Sequence, residues 1–99
     1  MIYHLVFFKV KKGVSKQRLV AFERKWRALR NDIPGLLSIE GGDNISIEPF
    51  SKGYNRAYVL KFKDKKSRDT YVPHHNHVAL GKKVAWPMLD DVCVCDIEV

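Results

Sequence analysis

Ile2-Tyr3-His4-Leu5-Val6-Phe7-Phe8-Lys9-Val10 is the stretch on which the fold turns. In an extended chain successive side chains point to opposite faces. Ile2, His4, Val6, Phe8 and Val10 therefore share one face, and Tyr3, Leu5, Phe7 and Lys9 the other. Both faces are largely apolar, so a strand here needs cover on both sides. An antiparallel sheet with one face in water alternates apolar with polar residues instead. Two later segments behave alike. Arg56 to Lys63 sets Tyr58, Leu60 and Phe62 against Ala57 and Val59, and Val92 to Val99 runs apolar before alternating at Asp96-Ile97-Glu98-Val99.

Helical spacing fills the intervals. After the turn Lys11-Lys12-Gly13, Ser15 is a suitable N-cap. Leu19, Phe22, Trp26, Leu29 and Ile33 then recur at helical spacing with basic residues on the opposite face, and Pro34-Gly35 stops the helix. Leu36 to Ile47 reads as a strand broken at Gly41-Gly42-Asp43, where a bulge or bend is expected. Glu48 to Tyr54 reads as a loop. Asp64 caps a short helix that ends at Val72, because Pro73 disfavours helix in the residue before it. A further short helix is expected over His77 to Ala85, closed by Pro87.

The order is β-α-β-β-α-β in a single domain, residues 1–99. This is the α+β, ferredoxin-like arrangement, an antiparallel four-stranded sheet with its helices on one face. The other sheet face would then expose more apolar surface than soluble monomers tolerate. Packing two such faces together hides both, so a homodimer through the sheets is expected. Length points the same way, since a chain this short buries only about 60–65% of its unfolded surface.

With 45% hydrophobic and 29% charged residues the chain is a folded domain, and 99 residues exclude a multidomain enzyme or a single-chain Rossmann or barrel enzyme. No apolar run approaches the roughly 20 residues of a membrane span. The N-terminus lacks the basic start and long apolar core of a signal peptide, so a cytoplasmic protein with no membrane partner is expected. Cys93 and Cys95 are too few for a disulfide scaffold, and in a strand they lie at the limit of an unstrained bridge. They are expected as buried free thiols. The net charge of +7 is uneven, with nine basic residues and the single acid Glu23 in residues 1–30. That stripe suits a solvated helix face or a phosphate-binding footprint. Lys52-Gly53-Tyr54 begins an RNA-recognition string, but Asn55-Arg56 interrupts it before Ala57-Tyr58-Val59 and flips the aromatic register, so no nucleic-acid partner is expected.

Several strings fall into one register. They are His4-Leu-Val-Phe-Phe-Lys-Val at the start, Ile33-Pro34-Gly35 after the first helix, Gly53-Tyr54 before a strand, and Tyr71-Val72-Pro73-His74-His75-Asn76-His77 after the second helix, with Leu89 to Val99 closing the chain. Together they resemble the stress-responsive dimeric α/β-barrel (Dabb) family over essentially the full length. The most specific mark is the His-Pro-x-His-like segment after a Tyr, in which His75 stands where the family has Pro. The resemblance implies a ferredoxin-like protomer and a dimer whose two sheets form one barrel. It also implies a chemistry, because the family includes a plant polyketide cyclase that closes a ring by intramolecular aldol condensation without metal or organic cofactor. Its motif pairs a Tyr with a His six residues later, and the matching residues here are Tyr71 and His77. Other members have no assigned activity. The alternative is a non-catalytic, stress-responsive dimeric binding or structural protein of the same fold.

An aldol step needs a base for a proton α to a carbonyl and a donor for the oxygen that becomes negative. Neutral His77 suits the first role and the Tyr71 hydroxyl the second. His4 matches the family's strand-one His near the pocket, and is otherwise a satisfied core histidine. Arg56 replaces a His of the cyclase; a guanidinium cannot act as a base at neutral pH, but it can bind a carboxylate or enolate or pair with a nearby acid. Trp26 replaces a Tyr, removing a hydroxyl. With His74 and Met88 these complete the candidate contacts to a small apolar or carbonyl ligand. His4, His74, His75 and His77 could offer imidazole nitrogens, but no carboxylate lies beside them in sequence, and no metal is expected. The carbonyls of Asn31 to Leu36 occupy the turn near which some relatives hold a structural cation.

Overall fold

The computed structural model describes all 99 residues. Strand β1 (Ile2–Val10) is followed by helix α1 (Lys16–Ala28), strand β2 (Leu36–Asp43), strand β3 (Arg56–Phe62), helices α2 (Lys65–Tyr71) and α3 (His75–Leu80), and strand β4 (Leu89–Glu98). The sheet order is β2-β3-β1-β4, and every neighbouring pair is antiparallel. This is the ferredoxin-like α+β fold, with the helices on one face of the sheet. The period-two pattern fixes which face. Ile2, His4, Val6 and Phe8 of β1 and Tyr58, Leu60 and Phe62 of β3 are buried beneath the helices. Tyr3, Leu5, Phe7, Ala57 and Val59 point the other way.

Ser15 caps α1 by accepting from the Arg18 N–H at 3.1 Å. The helix presents Phe22 and Trp26 to the sheet, where the Trp26 ring lies parallel to that of Phe8 with centroids 5.9 Å apart. It ends at Ala28, earlier than Pro34-Gly35 would require, and a 3-10 turn carries the apolar row on through buried Leu29 and Ile33. Gly35 follows at φ +88°; a Cβ there would lie 2.0 Å from Ser67 Oγ, so only glycine lets this turn approach α2. In the same turn the Ile33 and Gly35 carbonyls accept backbone N–H groups, and the Asp32 carboxylate accepts from Asn76 at 3.1 Å.

Three further boundaries differ from the sequence reading. β2 stops at Asp43, and its irregularity lies at Leu36/Ser38, not at Gly41-Gly42. Gly41 serves packing instead, because a Cβ on it would lie 2.2 Å from the Tyr58 ring. Past Asp43 no strand faces the chain, and Asn44 closes the loop by donating to Ser51 Oγ and the Tyr54 carbonyl. α3 begins at His75, two residues before His77, because His74 acts as N-cap and its Nδ1 accepts from the Asn76 N–H at 3.2 Å. The helix continues through a π-helical turn, Gly81–Ala85, and a 3-10 turn, Trp86–Met88. β4 starts at Leu89, three residues before Val92.

The cysteines require a correction. Cys93 and Cys95 are free, as expected, but exposed. They lie opposite Phe7 and Leu5 on the outer sheet face, which no element of this chain covers.

Candidate functional site

Between helices and sheet lies a mostly apolar cavity of about 300 Å³. Val6, Phe8, Val92 and Val94 form its sheet side, Phe22 and Trp26 its α1 side, and Val72, Leu80 and Trp86 its outer wall. The polar groups are few: His4, Tyr71, His77 and Asp96. A small apolar chamber with a few polar groups on rigid elements is the usual form of a small-molecule site.

Tyr71 is the last residue of α2 and fully buried. Its hydroxyl accepts from the Trp26 indole N–H at 2.8 Å. Burial raises its pKa well above the ordinary tyrosine value, the indole N–H offsetting this only in part. The hydroxyl therefore keeps its proton at neutral pH, and that proton is free to be donated. Six residues on, His77 stacks on the Tyr71 ring, with centroids 4.1 Å apart and planes 28° apart. Its Nδ1 donates to the Val72 carbonyl at 2.9 Å, which leaves Nε2 as an acceptor. Burial holds His77 below the ordinary value of 6.5; the carbonyl contacts oppose this, and neighbouring His4 and His74 add to it. A histidine so placed is neutral at pH 7 and competent as a base.

His4 projects from β1 toward Tyr71, with ring centroids 5.8 Å apart in an edge-on arrangement. Its Nδ1 lies 2.5 Å from Asp96 Oδ1, and the other oxygen of Asp96 accepts from Arg68 at 2.7 Å. The β1–β4 register sets His4 directly opposite Asp96. The sequence reading overlooked Asp96, although a signal existed. The alternation that puts Val92 and Val94 inward puts Asp96 inward too, on the face that carries His4.

Of the remaining candidates, all but Trp26 lie outside the cavity. Trp26 is both core and cavity wall. Arg56 is outside the cavity; it binds Glu23, Asp43 and the Tyr58 hydroxyl, joining α1 to β3 and β2. Of the two alternatives for Arg56, pairing with nearby acids is the one formed. Met88 is fully buried in the core and does not line the cavity. His74 also stands outside the lining, as the cap of α3 stacked on His75. No three His, Cys, Asp or Glu side chains converge as a metal-binding group.

A family model described as the stress responsive A/B barrel domain (Dabb) matches residues 2–99. A stress-response A/B barrel domain-containing protein of Arabidopsis thaliana, HS1, is 26% identical over 97 residues, covering 98% of this chain and 88% of that protein. The crystal structure of an Arabidopsis thaliana protein superimposes with a TM-score of 0.91 at 25% identity, over 100% of this chain and 95% of the other. A dimeric ferredoxin-like protein of unknown function from Jannaschia sp. gives 0.83 at 26% identity, over 99% and 98% of the two chains. A hydroxynitrile lyase from Passiflora edulis shares the fold, with a TM-score of 0.84 at 17% identity over 99% and 92%. With a fold, register and family pattern that agree from the first strand to the last, the chain belongs to the stress-responsive A/B barrel domain (Dabb) family.

Proposed function

We propose that this protein is a cofactor-independent enzyme of lyase or cyclase type, acting on a small carbonyl compound such as a linear polyketide by intramolecular aldol condensation. The observation that carries the proposal is the stacking of His77 on Tyr71 at 4.1 Å, both facing the cavity. His77 Nε2 removes a proton α to a carbonyl, while the Tyr71 hydroxyl donates to that carbonyl oxygen as it gains charge. The enolate carbon attacks a second carbonyl of the same molecule, forming the carbon–carbon bond. The His77 imidazolium then returns its proton to the new alkoxide. Contributions of this kind are each worth about 10²–10³ in rate. The apolar walls suit a hydrocarbon skeleton and strengthen the donor's effect by excluding water.

The functional unit we propose is a homodimer. Tyr3, Leu5, Phe7, Ala57, Val59, Cys93, Cys95 and Ile97 make one apolar outer sheet face, and no helix of this chain reaches it. A second copy covers it with the same face, as a twofold interface requires. Solved relatives described as dimeric support this assembly. Light scattering at micromolar concentration should give twice the mass of 11.5 kDa. A monomer mass would defeat the face-to-face assembly.

For catalysis, wild type and His77→Ala are compared on linear poly-β-ketones of graded length. Cyclisation by wild type and a fall of about a hundredfold or more in the variant are expected. Equal rates in both, or none above buffer, would remove the enzyme reading in favour of ligand binding without turnover.

A further inference from the structure

Asp96 and Arg68 have no part in the chemistry above, yet they form an ordered chain that ends inside the cavity. His4 is buried, with Nδ1 against Asp96 Oδ1 at 2.5 Å. Asp96 Oδ2 in turn accepts from Arg68 Nη1 at 2.7 Å, and Arg68 is braced by Asp69 at 2.8 Å. An ionised carboxylate only accepts, so the proton between His4 and Asp96 is carried on Nδ1, and in the neutral imidazole this makes Nε2 the acceptor. No buried side-chain nitrogen or oxygen lacks a partner, yet His4 Nε2 has none within the protein. It must therefore border open space, and the open space that His4 lines is the cavity.

We propose that Asp96, held by Arg68, is a positioning residue that presents His4 Nε2 to the cavity as a second acceptor, so that the site takes a ligand bearing a hydroxyl or enol O–H as well as its carbonyl. The assignment deepens the carbonyl reading and rests on it for the ligand's second group. Tyr71 is the cavity's hydroxyl donor; His77 and His4 are acceptors, each packed against its ring. A ligand with only a carbonyl satisfies Tyr71 and leaves His4 unpaired. An O–H on the ligand satisfies both.

Arg68 makes the assignment testable, because it can only donate. In Asp96→Asn it claims the amide oxygen and turns the amide NH₂ toward His4 Nδ1. Two donors cannot face each other, so the imidazole proton moves to Nε2, and the acceptor in the cavity becomes a donor. Nitrogen-15 NMR of the imidazoles reads this directly. Wild type should show a pyridine-like Nε2 for His4, Asp96→Asn a pyrrole-like one, and Asp96→Asn with Arg68→Met a return toward the wild-type tautomer as the amide is freed to rotate. A mere packing role would leave the tautomer unmoved. 4-Hydroxyacetophenone and 4-methoxyacetophenone serve as probes. The phenol should shift the His4 Nε2 resonance and bind about 2- to 10-fold tighter than the ether in wild type, with the preference lost in Asp96→Asn. A pyrrole-like Nε2 in wild type, an unchanged tautomer in Asp96→Asn, or no response of His4 to either probe would each overturn the proposal. None of these readouts needs turnover, so an inert His77→Ala comparison would sink the aldol reading and leave this one standing or falling by itself.

Discussion

Replacing Arg56 by Met should damage the fold far more than the cavity. The guanidinium donates through Nε to Glu23 at 3.1 Å and to the Tyr58 hydroxyl at 2.7 Å, and its Nη1 donates to Asp43 at 2.7 Å. Its Nη2 also bonds Glu23, and the two side chains are only 14% and 9% exposed. Met removes every one of these donors and strands the Glu23 carboxylate between α1 and the sheet, with the Tyr58 O–H at 2.6 Å as its remaining partner. Breaking a buried pair from one side costs about 3–5 kcal/mol. The surviving Tyr58 bond sets the loss at the lower end, about 3 kcal/mol, or about 12–24 °C in Tm for a domain of this size. Urea and thermal melts followed by circular dichroism measure it. Two controls sharpen the outcome. Asp43→Ala touches a side chain that is 81% exposed and should change stability by less than about 1 kcal/mol. Arg56→Met combined with Glu23→Leu removes both charges and should recover at least about half of the loss. A single variant within about 1 kcal/mol of wild type, or a double variant no better than the single, would refute the role assigned to this pair. So would loss of ligand binding in an Arg56→Met protein that remains folded, because Arg56 does not line the cavity.

Three other outcomes follow from the same geometry. Since burial lowers His77 from 6.5, the unfolded chain binds a proton below that pH that the folded chain refuses; stability should fall as pH drops from about 6.5 toward the folded value, and His77→Gln should flatten that slope in urea melts. A slope identical in both proteins would mean the imidazole is not desolvated. Tyr71→Phe leaves the Trp26 indole N–H buried without an acceptor and should lose about 1–3 kcal/mol; an unchanged melt would show that the indole finds another partner. Gly35→Ala combines φ +88° with a Cβ 2.0 Å from Ser67 Oγ and should lose about 2–4 kcal/mol, whereas Gly13→Ala, at φ +85° with open space around it, should lose only about 1–2 kcal/mol. Equal losses at the two glycines would remove the contact with α2 as the reason for Gly35.

What could be read from the sequence was face, and what could not was neighbour. Alternation at Tyr58, Leu60 and Phe62 told which side of β3 is buried because one-dimensional parity and three-dimensional side are the same thing in a strand. The same parity placed Arg56 on that inner side, but whether a ligand or Glu23 meets it depends on the rotation of α1 against the sheet, which only the packed core decides. Ile45 and Ile47 alternate as well as any strand, yet stay 89% and 101% exposed. Asp43 already pairs with Arg56, the first residue of β3, and a single further backbone bond, from the Asn44 N–H to the Asn55 carbonyl at 2.9 Å, ends the ladder before Ile45. Cys93 and Cys95 fail for a related reason. Their shared face was legible, whereas their burial depends on what covers that face, and within one chain nothing does. Tyr71 and His77 were found through family resemblance, but the features that arm them come from elsewhere: the indole N–H of Trp26, 45 residues away in sequence, and the Val72 carbonyl exposed where Pro73 ends the helix. Asp96 is the instructive omission. Once β1 and β4 are taken as antiparallel neighbours, an inward acid on one and an inward histidine on the other are candidates for contact, and the β1–β4 register makes them direct partners. Pairing inward polar residues across adjacent strands is thus a step that sequence alone permits, and here it leads to the second imidazole of the cavity.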